Sequence, residues 1–266
     1  MLDQTQLEEY RHSGVLLLKG FLHEWIEELQ KGVEANLENP GEFAKVYTEE
    51  DEGGYFFGDY CNWNRIPEYH RFLHDSPCAE MAAELMDSEE VRIFHEHVLV
   101  KEPGTGKPTP WHHDQPYYCV DGEQVCSIWL PLDPVPKESG LEFVAGSHLL
   151  GKMFMPIKFL TLKDYDYPPG SFDSIPDIDA HRNEHKILSW DMEPGDCIVF
   201  HFKTLHSGKG NSHSEIRRRA FSSRWIGDDA VFAERPGETS PPFPELRSFK
   251  QGDPIDHPLF PICWAK

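Results

Sequence analysis

Short apolar or alternating segments, separated by Gly and Pro, make up most of the chain from about residue 90 onward. These segments span residues 91–101, 124–132, 141–144, 196–202 and 218–226. Turn sequences such as EPGTG (102–106) and EPGD (193–196) lie between them. Many short strands with turn signals between them are typical of a β-sandwich or β-barrel. The sequence therefore predicts a mainly β core at about 90–228.

The N-terminal part has a different pattern, with flanking α-helices predicted at about 1–88. Helices are expected over residues 5–12, 24–37 and 78–86, and one strand over 14–18. Apolar residues recur at helical spacing in the second of these helices, for example Trp25, Leu29 and Val33. A polar, Pro-rich stretch at about 154–185 is expected to be an insertion that covers the barrel mouth. With no repeat and no linker, residues 1–266 are predicted to form a single domain.

The net charge of −21 limits the partners that the chain is expected to have. Such a charge repels polyanions, so we predict neither nucleic-acid binding nor docking on an anionic membrane. No apolar run approaches the roughly 18 residues of a membrane span, and the polar N-terminus is unlike a secretion signal. The six cysteines are scattered without a CxxC pair, which favours free thiols. A cytoplasmic protein is the expectation.

The stretch TPWHHDQPYY (109–118) contains a candidate metal-binding pair. Successive side chains of an extended strand alternate between its two faces. On a strand, His112 and Asp114 therefore share one face and can chelate one ion, whereas His113 points away. We expect His113 to be a bystander or to support the ligands from behind.

A possible third ligand lies in the segment GDCIVFHFKTLHSGKGN (195–211), where an apolar strand leads into a loop with His201 and His206. Two histidines and one carboxylate on one side of a metal leave the opposite positions open. Such a site suits Fe(II) that must also bind a co-substrate and oxygen. From the residues alone, either histidine can complete the site.

Several motifs in one order resemble the phytanoyl-CoA dioxygenase-like (PhyH) family of Fe(II)/2-oxoglutarate-dependent oxygenases. They are VKEPGTGKPTPWHHDQPYY, SIWLPLDPVPKESGLEFVAGSH, PGDCIVFHFKTLHSGKGN and RRRAFSSRW, within about 94–228. The resemblance implies a double-stranded β-helix (jelly-roll, cupin-like) core, with Fe(II), 2-oxoglutarate and O2 as cofactors. It also implies His112, Asp114 and His206 as metal ligands, because His206 precedes the small residues and Asn211. The family usually reads His-Gly-Ser where this chain has His-Ser-Gly.

The resemblance further implies a set of contacts to 2-oxoglutarate. Its far carboxylate needs an arginine, whose planar fork makes two charge-assisted bonds. Arg217 and Arg218 are both candidates, and we favour Arg218 because it shares strand parity with Ala220 and Ser222. The other arginines of the run are expected at a solvated strand edge.

Trp129 and His97 are placed against the co-substrate by the same resemblance. The competing interpretation for Trp129 is a core tryptophan, and for His97 a buried, hydrogen-bonded histidine. Lys101 shares strand parity with His97, so both are candidates to face the pocket.

The expected function is hydroxylation of a C–H bond of a small molecule, with release of succinate and CO2. Desaturation or epoxidation with the same cofactors is an alternative that the ligands do not separate. A zinc hydrolase or a non-catalytic metal-binding barrel is a further alternative. The acidic insertion DYDYPPGSFDSIPDIDAH (164–181) favours a neutral or cationic substrate.

Overall fold

The computed structural model describes residues 1–49, 53–211 and 215–266. Its α-helices are α1 (Gln4–Ser13), α2 (Ile26–Glu38), α3 (Pro67–Asp75) and α4 (Cys78–Met86). The three helices predicted from the sequence are confirmed, and α3 is an additional one. Across the described ranges, no helix is long and apolar enough to cross a membrane. All six cysteines are free.

Strands account for most of the remaining regular structure. In chain order they are β1 (Val15–Leu18), β2 (Lys45–Val46), β3 (Phe56–Tyr60), β4 (Glu90–Lys101), β5 (Thr109–His112), β6 (Val120–Asp121), β7 (Val125–Pro131), β8 (Leu141–Val144), β9 (Ile157–Lys158), β10 (Lys163–Asp164), β11 (Ile187–Leu188), β12 (Cys197–His201), β13 (His206–Gly208), β14 (Arg218–Ile226), β15 (Val231–Phe232) and β16 (Ile262–Ala265). Each strand predicted from the sequence is present within a residue or two of its expected bounds.

Two antiparallel sheets form the core. The larger has eight strands in the order β1-β12-β7-β14-β4-β3-β2, with β16 also paired to β4, and the smaller has the order β11-β8-β13-β5. The sheets face each other, since Phe143 of the small sheet and Phe200 of the large sheet pack with ring centroids 5.2 Å apart. Two sheets closed over one interior are the arrangement of a jelly roll. The predicted fold class is confirmed.

The helices cover the outer face of the large sheet. Tyr69 and Phe72 of α3 pack on Phe221 of β14, with ring centroids 4.8 and 5.2 Å apart. These side chains belong to the largest apolar cluster of the molecule, which also includes buried residues of α2 and α4. The outer face of the large sheet is therefore apolar and covered by helices, whereas polar residues lie on its inner face.

The register of β4 and β14 decides which polar residues meet on the inner face. Arg218 pairs with Lys101, Ser222 with His97, and Arg224 with His95. Directly paired residues of an antiparallel ladder project from the same face of the sheet. The inner face therefore has three polar cross-strand pairs. The pair of Arg218 and Lys101 is at one end, that of Arg224 and His95 is toward the other, and that of Ser222 and His97 lies between them.

Candidate metal centre and its cavity

Three potential ligands converge between the two sheets. One ligand atom each from His112, Asp114 and His206 lies within 4.8 Å of the others, and all three residues are buried. The Oδ1 atom of Asp114 is 3.7 Å from Nε2 of His112 and 3.9 Å from Nε2 of His206. The pairing of β5 with β13 places the two histidines directly opposite each other. The structure thus brings together the three residues that the sequence predicted as metal ligands.

Backbone hydrogen bonds orient both imidazoles for this role. Nδ1 of His112 donates to the carbonyl of Pro110 at 2.8 Å, and Nδ1 of His206 donates to the carbonyl of Thr204 at 3.0 Å. With Nδ1 protonated, each Nε2 is left as a lone-pair donor that points toward Asp114. Fixing the tautomer through the second ring nitrogen is the usual support of a metal-binding histidine. The donor set therefore fits a divalent metal.

Asp114 reaches the site by a turn rather than by strand alternation. Strand β5 ends at His112, and Asp114 has helical backbone angles (φ −73°, ψ −37°) at the start of a short 3-10 turn. Its N–H donates to the carbonyl of Phe202 at 2.8 Å. Its Oδ2 accepts from the hydroxyl of Ser127 at 2.8 Å, which leaves Oδ1 for the metal. The predicted chelating pair meets, but the strand assumed for it ends at His112, two residues before Asp114.

The charges of the site suit a metal over a wide pH range. Burial alone raises the pKa of Asp114, but the Arg224 guanidinium and the two imidazoles outweigh it and lower that pKa to about 2. Burial, followed by the charge of His206, lowers the pKa of His112 to about 3. Burial also lowers the pKa of His206. The three groups are therefore in their metal-binding protonation states at neutral pH.

The two neighbouring histidines are engaged elsewhere. Nε2 of His113 accepts from the N–H of Phe154 at 2.8 Å, on the side away from the ligands. Nε2 of His201 donates to the carbonyl of Glu123 at 3.1 Å, while its Nδ1 accepts from the N–H of Lys203 at 3.0 Å. His113 is thus a bystander to the ligands, as expected, and His201 is not at the candidate site.

A cavity of about 510 Å³ opens onto the three ligands. Trp129 and His97 both line it, and their contact with the co-substrate stays a prediction. Nε2 of His97, Nε2 of His95 and Oγ of Ser222 are buried there without a hydrogen-bond partner in the described part of the chain. Buried polar atoms without partners are uncommon in native proteins, and a bound ligand is one of the explanations. The expectation of a hydrogen-bonded His97 therefore does not hold for its Nε2 atom.

The three consecutive arginines have different surroundings. Arg217 forms ion pairs with Glu34 and Glu102, and Arg219 forms ion pairs with Glu34 and Asp133. These contacts tie β14 to helix α2, so both side chains are partly exposed and ion-paired rather than freely solvated. Side-chain exposure is 35% for Arg217 and 14% for Arg219.

Arg218 is buried on the inner face, and burial lowers its pKa to about 10. Its guanidinium donates to the carbonyls of Ser139 and Lys209. It is not among the residues that line the cavity, but Leu141 and Gly208, which are within two residues of its contacts along the chain, do line it. Arg218 thus lies just beyond one end of the cavity.

A hairpin of β9 and β10 closes one side of the cavity. The ring of Phe159, between these strands, packs on the ring of His112 with centroids 4.8 Å apart. The hydroxyl of Tyr117 accepts from the N–H of Ile157 at 2.7 Å and donates to the carbonyl of the same residue at 2.9 Å. The hairpin lies inside the predicted 154–185 insertion. Its action as a lid stays a prediction.

Two polar residues near the ligands were not predicted from the sequence. Ser127 donates to Asp114, and the Nε of Arg224 lies 3.9 Å from Oδ2 of Asp114 and donates to the hydroxyl of Tyr118 at 2.9 Å. The parity that selects Arg218 and Ser222 also includes Arg224, so the motif RRRAFSSRW contained the signal for it.

Residues 10–220 match the family described as Phytanoyl-CoA dioxygenase (PhyH). The chain belongs to this family. The match covers most of the sequence and includes all three candidate ligands. It confirms the resemblance identified from the motifs.

A curated relative is the probable phytanoyl-CoA dioxygenase of Caenorhabditis elegans, which is 24% identical over 182 residues. The matched region is 64% of this chain and 51% of the relative. The chain therefore spans about half the length of that protein.

Solved structures with the same fold include the non-heme α-ketoglutarate-dependent carbocyclase SnoK from nogalamycin biosynthesis (TM-score 0.75, 21% identity, 98% of this chain and 96% of that chain). The epimerase SnoN in complex with Fe3+, α-ketoglutarate and nogalamycin RO has a TM-score of 0.76 at 21% identity, with 98% of each chain covered. EctD from S. alaskensis with 2-oxoglutarate and 5-hydroxyectoine has a TM-score of 0.67 at 19% identity, with 96% of this chain and 86% of that chain covered. At these identities the likeness establishes a shared fold.

Proposed function

We propose that this chain is an Fe(II)- and 2-oxoglutarate-dependent dioxygenase that hydroxylates a C–H bond of a small molecule. The observation that carries the proposal is the buried convergence of His112, Asp114 and His206 on one point at the wall of a cavity. Three ligands from one side leave the opposite coordination positions for co-substrate and O2. Membership of a dioxygenase family supports the same conclusion.

When bound, iron, 2-oxoglutarate and O2 supply the oxidising chemistry, and 2-oxoglutarate leaves as succinate and CO2. The chain holds the metal through three side chains and receives the far carboxylate of 2-oxoglutarate with Arg218. His97 and Trp129, which line the cavity, flank the co-substrate. Phe159 and the hydrogen bonds of Tyr117 hold the hairpin over the ligands and exclude water, which protects the reaction from side products.

The substrate is a small molecule that fits a largely aromatic cavity. Among the described residues that line it, three are cationic and one is a carboxylate. The cations are Lys45, Lys158 and Arg224, and the carboxylate is the metal ligand Asp114. Opposite charges attract strongly in a partly buried site. This lining argues against the cationic substrate predicted from the acidic insertion and favours a neutral or acidic one.

Metal dependence and co-product formation test the proposal. The protein loaded with Fe(II) should convert 2-oxoglutarate and O2 to succinate slowly without substrate, and the Asp114→Ala variant should not. Activity with Zn(II) and no succinate would instead support the hydrolase alternative. No turnover with either metal would support a non-catalytic binding protein. Hydroxylated and unsaturated products differ by the mass of water, so mass spectrometry of the converted substrate separates hydroxylation from desaturation.

A further inference from the structure

Two cations face each other at the end of the inner face. Lys101 and Arg218 are directly paired in the β4–β14 ladder, so their side chains project from the same face. Lys101 is 2% exposed and Arg218 is 7% exposed. Both are among the least exposed basic residues of a strongly acidic protein.

Among the residues that the structure describes, neither cation has an acidic partner. The Nζ of Lys101 donates to the carbonyls of Lys107 and Lys209 at 2.7 and 3.1 Å. Arg218 donates to the carbonyls of Ser139 and Lys209, so the two cations share one acceptor. Within residues 1–49, 53–211 and 215–266, no carboxylate lies within 4.0 Å of either group. By contrast, Arg217 and Arg219 each have two carboxylate partners.

Two like charges buried side by side without an anion are costly. Burial penalises each charged form, and the two charges repel each other in a medium of low dielectric constant. In agreement, burial lowers the pKa of Lys101 well below its usual value, and the charge of Arg218 lowers it further. A bound anion between the two groups removes most of this penalty.

The end of the cavity lies beside this pair. Leu99 precedes Lys101 by two residues on the same face of β4 and lines the cavity. Gly208 also lines it, and the carbonyl of the next residue, Lys209, is the acceptor that both cations share. The three metal ligands lie along the same cavity. The two cations are not themselves lining residues, so a ligand that reaches from the metal to this end brings its far terminus next to the pair.

We propose that Lys101 is a second binding residue for the far carboxylate of 2-oxoglutarate, acting together with Arg218. The inference rests on the proposed function. The competing explanation is that Lys101 only braces the loops at Lys107 and Lys209, with its ammonium 4.3 Å from the ring centroid of Phe56. The two explanations differ in one property, which is whether Lys101 distinguishes a ligand with a far carboxylate from one without it.

Binding of two 2-oxo acids to two variants tests this property. Affinities for 2-oxoglutarate and for 2-oxobutyrate, which lacks the far carboxylate, are measured by calorimetry with Mn(II) in place of Fe(II). In Lys101→Met, affinity for 2-oxoglutarate should fall about 10- to 100-fold, the range for one charge-assisted hydrogen bond. Affinity for 2-oxobutyrate should stay within about twofold, and Lys101→Arg should retain most of the preference for 2-oxoglutarate.

Val100→Ala is the matched control, because Val100 is buried on the opposite face of the same strand. It lowers stability without removing a charge and should leave the ratio of the two affinities unchanged. The inference is overturned if Lys101→Met loses affinity for both 2-oxo acids equally, or for neither. Lys101 would then only brace the loops at Lys107 and Lys209. If that variant does not fold, Lys101→Gln provides the same comparison.

Failure of the proposed function has a different signature. In that case the wild-type protein itself shows no preference for 2-oxoglutarate over 2-oxobutyrate. A wild-type preference that survives unchanged in the Lys101 variants refutes only the role of Lys101.

Discussion

The hydroxyl of Ser127 should control how tightly the protein holds its metal. It donates to Oδ2 of Asp114 at 2.8 Å, and both groups are buried. This bond is charge-assisted, and it fixes the carboxylate so that Oδ1 faces the two imidazoles. In Ser127→Ala the carboxylate loses this donor, while the hydroxyl of Tyr118 and the Nε of Arg224, 3.9 Å away, stay beside it. The carboxylate is then oriented less firmly toward the metal.

The size of the effect follows from the type of bond. Hydrogen bonds to charged groups contribute about 1.5–3 kcal/mol, and loss of a residue that supports a metal ligand typically lowers metal affinity about 10- to 100-fold. We therefore expect the Kd for Mn(II) to rise by that factor in Ser127→Ala. Competition against a metal-sensitive dye under anaerobic conditions measures it, and circular dichroism checks that the fold is intact.

Ser223→Ala is the control for this variant. Ser223 is equally buried on the neighbouring strand, but its hydroxyl accepts from the indole of Trp225 at 2.9 Å, away from the metal site. It should destabilise the protein without changing metal affinity. Equal metal affinity of Ser127→Ala and wild type would refute the idea that this hydroxyl orients Asp114.

Three further outcomes are expected. His113→Ala leaves the buried N–H of Phe154 unpaired and should cost about 1–3 kcal/mol of unfolding free energy, read from urea denaturation, with metal stoichiometry unchanged. Burial raises the pKa of Glu96 to about 8, so the folded state keeps a proton that the unfolded chain releases at lower pH. Stability is therefore lost as pH rises from about 5 to 8, by a few kcal/mol at most, and urea curves of Glu96→Gln should lack this slope. Tyr117→Phe removes both hydrogen bonds to Ile157 and should accelerate amide exchange in the β9–β10 hairpin about 10-fold or more, whereas a fixed hairpin would show no change.

Local pattern was sufficient for the strands and for the pair of His112 and Asp114, but not for the third ligand. Short apolar or alternating runs bounded by turn residues determined the bounds of β4, β7, β8, β12 and β14, because strands buried on both faces read as short apolar runs. The family motifs selected His206 over His201, which spacing alone did not. Helix α3 was missed because its nine residues mix charged and aromatic side chains, and its apolar face is evident only against Phe221.

Long-range contacts account for the rest. The ion pairs of Arg217 and Arg219 with Glu34 join residues more than 180 positions apart, and no local pattern reports such a partner. The turn at Asp114 was missed for the same reason, since its N–H bonds to the carbonyl of Phe202, in the turn that follows the distant strand β12. Which side chains support the metal ligands from behind is decided by sheet register, which a single sequence does not specify.

Anaerobic titration of the protein with Fe(II) tests the central claim most directly. Wild-type protein should bind one ion per chain, and His112→Ala, Asp114→Ala and His206→Ala should each lose tight binding while remaining folded. His201→Ala should bind as wild type does. Full Fe(II) binding by all three ligand variants would contradict the assignment of the metal to this site.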